Sequence, residues 1–413
     1  MGWAGNRVKA QARGSQPTVV FRNKVVHAVT ARARLGTQGR GNRGASGTIR
    51  EPPAIERSCS AATQGPGRVD RSPPYCGPET RSAKGSGLLS MQPDSSISVL
   101  ICAYTLDRWS DLVASVRSVQ GQAQVREILL VIDHNDALLA RAQAELRGVR
   151  VLASSGPPGL SGARNSGVEA AAGDIVVFLD DDAQAAPDWL QNLVAPYSDE
   201  RVAATGGSAH PAWDSSRPGW FPQEFDWVVG CSYRGLPTEP ADVRNPLGCN
   251  MSFRRSIVLE AGGFRTDIGR LGRLPVGCEE TELSLRVCAS SPGRRIVYVP
   301  AAAVRHRVPG ARSTWRYFRE RCYQEGRSKA LVAALAGTSA GLAAERSYVA
   351  RTLPSGVVRG VADALKGDAS GLARSAAIVA GLFITTIGYL AGRSGIDPIR
   401  TTAAKSILLK PTK

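Results

Sequence analysis

The chain has 413 residues with 52 Lys and Arg against 35 Asp and Glu, a net charge of +17. Its length suits two or three structural units, and 43% hydrophobic with 21% charged residues excludes a wholly disordered, collagen-like or polytopic membrane protein. Such a charge points to nucleic acid, anionic lipid or phosphorylated ligands, but 15 of the basic residues and only 4 acids fall within residues 1–90, so nucleic acid is not an expected partner of the main body.

Residues 1–90 run through Gly, Arg, Ser and Pro with little apolar periodicity. Such a segment cannot bury enough surface to offset chain entropy and is expected to be disordered. Met91 stands just before the first strand-like run and is a second candidate for the start of translation. The N-terminus shows no apolar stretch of signal-peptide length, and the eight cysteines form no Cys-x-x-Cys pair. A cytoplasmic, reducing location is expected.

The first ordered element is the apolar strand Ile97 to Ala103, followed by a polar loop Tyr104 to Trp109 and a helix Leu112 to Gln120. A second strand Glu127 to Asp133, a helix Ala137 to Leu146 and a third strand Val149 to Leu152 follow. Next come a helix Ser161 to Ala172 and a strand Asp174 to Asp180. Strands apolar on both faces, alternating with helices, predict a doubly wound parallel α/β sheet whose ligand lies at the carboxyl ends of the strands. The alternation stops after Trp189. Beyond it the sequence predicts strand Val202 to Gly207, a turn-rich stretch to Asn250, helices Arg255 to Ala261 and Glu280 to Ala289, strand Arg295 to Val299 and a basic helix Trp315 to Lys329.

Residues 330–413 are rich in Ala, Gly and Leu and are expected to be helical. Ser375 to Gly392 runs 18 residues without a charge between Arg374 and Arg393, just the length of a membrane span. A span, an interfacial helix and a packed core helix all fit that run, and its basic flanks suit the two membrane readings. The expected organisation is thus a disordered segment 1–90, a catalytic domain 91–310 and a helical, membrane-associated region 311–413.

The most informative string ends the fourth strand, where Asp180, Asp181 and Asp182 follow one another. Three neighbouring carboxylates repel unless a cation neutralises them, and Mg²⁺ or Mn²⁺ shares such oxygen ligands with a diphosphate. The same string also reads as a solvated acidic turn. Gly159 to Gly167 places glycines around Arg164 and Asn165 at a predicted helix start, where backbone amides and a guanidinium meet a diphosphate. A helix capped by Ser161 with a surface Arg164 is the alternative. A second acidic string, Glu279, Glu280 and Glu282, opens a helix, as the helix dipole alone would favour.

Together these strings resemble the inverting family 2 glycosyltransferases of the GT-A fold, over roughly Ile97 to Val308. The resemblance implies a GT-A-type doubly wound, mostly parallel sheet with a Rossmann-like nucleotide-binding half and a C-terminal helical extension. It implies that Ala103, Tyr104, Thr105 and Arg108 touch the nucleotide and that Asp133 meets base or ribose, although the family's usual Asp-Asp-Gly-Ser run is absent. Arg164, Asn165, Asp180 and Asp181 complete the nucleotide-sugar side, and Asp180 and Asp182 hold Mg²⁺ or Mn²⁺, with His306 completing the metal shell. Glu280, where the family more often has Asp, is the expected base toward the acceptor hydroxyl, with Glu279 second. Asn250 and Glu282 are expected on the acceptor side, although Asn250 reads equally as a buried turn residue.

The expected reaction transfers a sugar from a nucleotide-diphosphate donor to a hydroxyl of a growing cell-envelope or extracellular glycan, or of a lipid-linked saccharide, at the inner face of the cell membrane. A nucleotidyltransferase of similar fold is the nearest alternative, though Ala103 to Ser110 is no triphosphate loop. A non-catalytic membrane-surface adaptor is the alternative from another class.

Overall fold

In a computed structural model, residues 96–268, 277–336 and 343–394 are described, all within one compact unit spanning 84–413. The segment 1–90 and the start at Met91 lie outside the described residues. Strand β1 (Ile97–Ala103) is followed by a 3₁₀ turn over Leu106–Arg108 and helix α1 (Trp109–Gln120). Then come β2 (Val125–Ile132), α2 (Asp136–Glu145), β3 (Arg150–Ala153), α3 (Leu160–Ala170) and β4 (Ile175–Asp180). After these follow β5 (Ala183–Ala185), α4 (Trp189–Val194), β6 (Val202–Trp213), β7 (Ala241–Asp242), β8 (Asn250–Arg254), α5 (Arg255–Glu260), α6 (Glu279–Ser290) and β9 (Arg295–Val308). Helices α7 (Trp315–Ala336), α8 (Ala343–Ser347), α9 (Leu353–Leu365) and α10 (Ser370–Arg393) close the described chain.

The nine strands among the described residues join one sheet in the order β3-β2-β1-β4-β8-β6-β9-β5, with β7 on β9. The half built from β1 to β4 is parallel, as predicted. Strand β8 enters antiparallel to both β4 and β6, and β6 then runs parallel to β9. The regular alternation ends at this reversal of strand direction.

Side chains alternate across a strand, so each strand feeds two cores. Ile97, Val99, Ile101 and Ala103 of β1 pack with Leu112 and Val116 of α1, Leu138 of α2 and Trp189 of α4. On the opposite face, Leu100, Val176 and Phe178 pack with Val168 of α3, Val258 of α5 and Leu283 of α6. A third cluster lies outside the sheet, where Phe221, Phe225, Phe318, Leu353 and Ile378 come together from four distant parts of the chain. Residues beyond 310 therefore share a core with the segment that follows β6.

Helix α10 reaches this core through close backbone contact. A Cβ on Gly326 of α7 would collide with the Thr385 carbonyl, and one on Gly388 with the Tyr323 carbonyl. Only glycine lets the two helices approach so nearly, which ties α10 lengthwise to α7.

Candidate active site

Strand β1 delivers Ala103 and Tyr104 to the carboxyl edge of the parallel half, and β2 delivers Asp133. The two edges are tied to each other: Asn135 caps α2 by accepting from the Leu138 amide at 3.0 Å, and its Nδ2 donates to the Tyr104 carbonyl at 3.0 Å. Asp133 accepts from the Gly159 amide at 2.9 Å. Gly159, with φ of 124°, is the residue before α3; its backbone lies where side chains are rarely tolerated. Cys102, Ala103, Tyr104, Arg108, Asp133, Asp180 and Asp181 all line a small cleft of about 50 Å³. Thr105 is used locally, accepting from the Asp107 amide at 3.2 Å.

The three Asp residues divide their tasks. Asp180 remains partly open, whereas Asp181 and Asp182 are buried. Strand β5 begins directly after them and pairs antiparallel with β9, Ala183 opposite His306. That register sets His306 beside Asp182, with Nε2 3.2 Å from Oδ1. Side-chain atoms of Asp180, Asp182 and His306 all fall within 4.8 Å of one another.

Cations already gather on this acidic corner. Arg108 Nη1 lies 2.8 Å from Asp181 Oδ1 and 2.9 Å from Asp182 Oδ2, while its guanidinium sits 5.0 Å from the Tyr104 ring centre. Arg312, which the sequence did not single out, lies 3.5 Å from Asp182. Burial tends to raise the Asp182 carboxyl, but His306, Arg312 and Arg108 overcome it and hold that carboxyl well below its ordinary range. Burial and the neighbouring Asp182 push Asp181 up to about 8. Burial opposes protonation of His306, but Asp182 outweighs it and lifts the imidazole to about 10.

The donor set of two carboxylates and an imidazole suits Mn²⁺ or Mg²⁺. Asp181 Oδ2, buried in the same corner, has no hydrogen-bond partner among the described residues. An unsatisfied buried carboxylate oxygen calls for an ion or water as its partner, so these residues fit a divalent cation.

The second acidic string lies across a large cavity of about 970 Å³, whose wall includes Asp180, His306, Glu279 and Glu280. Arg164 joins the two acidic groups. It is only 2% exposed, with Nη1 2.9 Å from Glu279 Oε1, Nη2 2.8 Å from the Gly248 carbonyl and 3.5 Å from Asp180 Oδ1. Its guanidinium is thus engaged inside the protein, and the surface-Arg alternative falls. Ser161 does not cap α3 but donates to the Ile268 carbonyl at 3.1 Å. Glu280 is half-buried, and desolvation together with Glu279 pushes its carboxyl up to about 8.

Three expected acceptor- or donor-side residues do other work. Asn250 is fully buried, accepting from Trp189 Nε1 at 2.8 Å and donating to the Ser208 and Ala302 carbonyls at 2.9 and 2.8 Å. With its amide engaged by protein partners it braces β8 against β6 and β9. Glu282 is buried against Arg286 one turn on, away from the cavity wall. Asn165 both donates to and accepts from the Phe264 backbone at 2.8 Å, which fastens the loop after α5.

Sequence reasoning missed the far wall of the cavity. It comes from the C-terminal helices: Arg321, Glu325 and Lys329, one turn apart on α7, and Leu382, Thr385 and Tyr389 on α10. Glu345 of α8 joins Lys329 at 2.5 Å and Arg244 at 2.7 Å. Phe318 of α7 packs, whereas Arg316, Arg319 and Glu320 stay exposed and only Arg321, Glu325 and Lys329 among its charges line the cavity; their i, i+4, i+8 spacing was the available signal.

The sequence profile of "Glycosyl transferase family 2" matches residues 98–262. Among curated proteins the chain is similar to the glucosyl-dolichyl phosphate glucuronosyltransferase of Haloferax volcanii, 34% identical over 238 residues, which cover 56% of this chain and 76% of that protein. It is also similar to a probable N-acetylgalactosaminyltransferase 9 of Caenorhabditis elegans, 27% identical over 239 residues, spanning 50% of this chain but only 39% of that protein. Among solved structures it is similar to a mannosyltransferase from Pyrobaculum calidifontis in complex with GDP-mannose and Mn²⁺, at 17% identity and a TM-score of 0.44, covering 70% of this chain and 86% of that one.

Proposed function

Because the chain belongs to glycosyl transferase family 2 and is a transferase acting on nucleotide sugars, we propose the finer reaction: metal-dependent, inverting transfer by single displacement onto a hydroxyl of a membrane-associated glycan or lipid-linked saccharide, at the cytoplasmic face. Membership of an enzyme family displaces the adaptor alternative. The observation that carries the proposal is the shared cavity, in which Asp180 and His306 of the donor edge and Glu280 face one space.

Tyr104, Arg108 and Asp133 line the cleft for the nucleotide. Asp180, Asp182 and His306 would hold Mn²⁺ or Mg²⁺. When bound, the cation supplies charge stabilisation to the departing diphosphate. Arg108 and Arg312 stand at the same corner, so they can compensate negative charge there as it grows. Glu280 accepts the acceptor hydroxyl proton, for which a carboxyl raised by burial is a stronger base than a solvated one. Arg164 fixes Glu279 and, through the helix start they share, the position of Glu280. The lipid-linked acceptor is supported by the name of the Haloferax relative and by Leu382 and Tyr389 of α10 in the cavity wall.

The test is calorimetric titration of the full chain with UDP-, GDP- and TDP-sugars, with and without Mn²⁺, beside Asp182→Ala. The expected result is Mn²⁺-dependent binding of one nucleotide class that the variant loses. A folded protein that binds none of them overturns the proposal.

A further inference from the structure

Helix α10 is the one helix among the described residues long and apolar enough to cross a bilayer. Its packing argues for a different placement. One edge is committed to protein: Ile378 enters the aromatic cluster, a Cβ on Gly381 would strike Phe225, and Gly388 and Gly392 lie against α7. The opposite edge is apolar and open. Leu372, Ala376, Val379, Phe383, Ile387 and Leu390 recur every three or four residues, the period of one helix face. Phe383 is 66% exposed and Val379 58%. Helix α9 extends the open surface with Val358, Val361 and Leu365, the last 85% exposed.

No charged side chain interrupts the α10 stripe between Leu372 and Leu390 except Arg374, which is paired with Asp363 and Asp368. Cations stand at its margins instead. Arg351 precedes α9, Lys366 follows it and Arg393 ends α10; all three are exposed, and none is in an ion pair among the described residues. Residues 395–413 add four basic residues against one acid. An apolar face rimmed by unpaired cations matches the chemistry of an anionic bilayer surface, acyl chains below and phosphates at the rim.

We propose that α9 and α10 form an in-plane docking surface for an anionic membrane, with the stripe sunk to the acyl boundary and α10 not crossing. The inference deepens the membrane-face reading above. The inner edge of α10 contributes Leu382, Thr385 and Tyr389 to the acceptor cavity, so the same helix divides that cavity from the lipid, which suits an acceptor whose saccharide projects from a membrane anchor.

The experiment is co-sedimentation of the full chain with vesicles of equal parts phosphatidylglycerol and phosphatidylcholine, beside phosphatidylcholine alone, for wild type and for Val379→Ser/Phe383→Ser. The expected result is binding that favours the anionic vesicles, weakens with salt, and falls about tenfold or more in the double variant, with an unchanged melting temperature because both side chains are exposed. Three results overturn the proposal: no vesicle binding by the wild type; a dimer that the double variant dissolves while vesicle binding persists, which gives the stripe to a second copy; or resistance of the membrane-bound protein to alkaline carbonate extraction, which makes α10 a span. The readout is binding, so it separates from catalysis. Loss of nucleotide-sugar binding with intact vesicle binding sinks the transferase mechanism alone, and the converse sinks only the docking surface.

Discussion

The proposed donor and acceptor sides of the site are built by different means. Every donor residue sits at or just beyond the end of a β-strand or at a helix start, within a single stretch from Ala103 to Asp182, apart from the contributions of β9 and Arg312. The acceptor side takes its wall from α6, α7, α8 and α10, elements that meet only through tertiary packing. The backbone of a parallel sheet dictates where its ligands bind, whereas the acceptor cavity exists only once the third core has closed. Change on one side should therefore leave the other measurably intact.

The sharpest test of that separation is Glu280→Gln, expected to lower kcat by about 10² to 10⁴-fold while the affinity for nucleotide sugar stays at the wild-type value in calorimetry. Because the carboxyl is raised to about 8 and only its ionised form accepts a proton, wild-type kcat should climb as pH passes through about 8. The stability effect has the opposite sign. Between 4.5 and about 8 the folded chain keeps a proton that the unfolded chain has released, so stability falls as pH rises across that window. Glu280→Gln should then melt above wild type at alkaline pH and beside it in acid.

Asp182→Ala attacks the donor side, with an expected loss of about 10² to 10³-fold in kcat and of Mn²⁺-dependent donor binding. Retained metal dependence would break the assignment of the Asp180, Asp182 and His306 group. Arg164→Met is the substitution that should not respect the boundary, since its guanidinium touches Asp180 and Glu279 alike. Leaving Glu279 buried and unpaired should cost about 3–5 kcal/mol in denaturant unfolding, and both ligand affinities should weaken. A purely local effect on one side would deny that Arg164 connects them. Tyr389→Ala is expected to raise KM for the acceptor severalfold without altering donor affinity. Smallest of all, Tyr104→Ala removes the ring beside Arg108 and should weaken donor binding by about 0.5–1 kcal/mol, a factor of about two to five.

The same contrast explains what could be read from the sequence. Asp180 to Asp182 announce themselves because an apolar strand running into three carboxylates is a local pattern, and the family's strings at Tyr104, Asp133 and Glu280 are local too. Asn250 shows where that ends. Its string cannot say which side of β8 the amide takes, and Trp189 with two strand carbonyls claims it for the interior. Equally, nothing in the sequence signals that Asn165 meets the Phe264 backbone or that Glu282 pairs with Arg286. Tyr389 and Thr385 bear no mark at all, because nothing local to α10 tells that its inner edge will meet the cavity. The reversal at β8 was equally hidden, since a five-residue strand alternating polar and apolar side chains has no direction until its neighbours are known.

The third core also sets an order of assembly. Strand β9 must be synthesised before β6 has its parallel partner, and the aromatic cluster begun at Phe221 waits for Phe318, Leu353 and finally Ile378. Contacts so far apart in the chain carry a large loop-closure cost and form late. On the ribosome, the nucleotide-binding half can therefore condense while the acceptor half still lacks its wall. A newly made chain would carry an exposed aromatic surface until its last long helix has emerged.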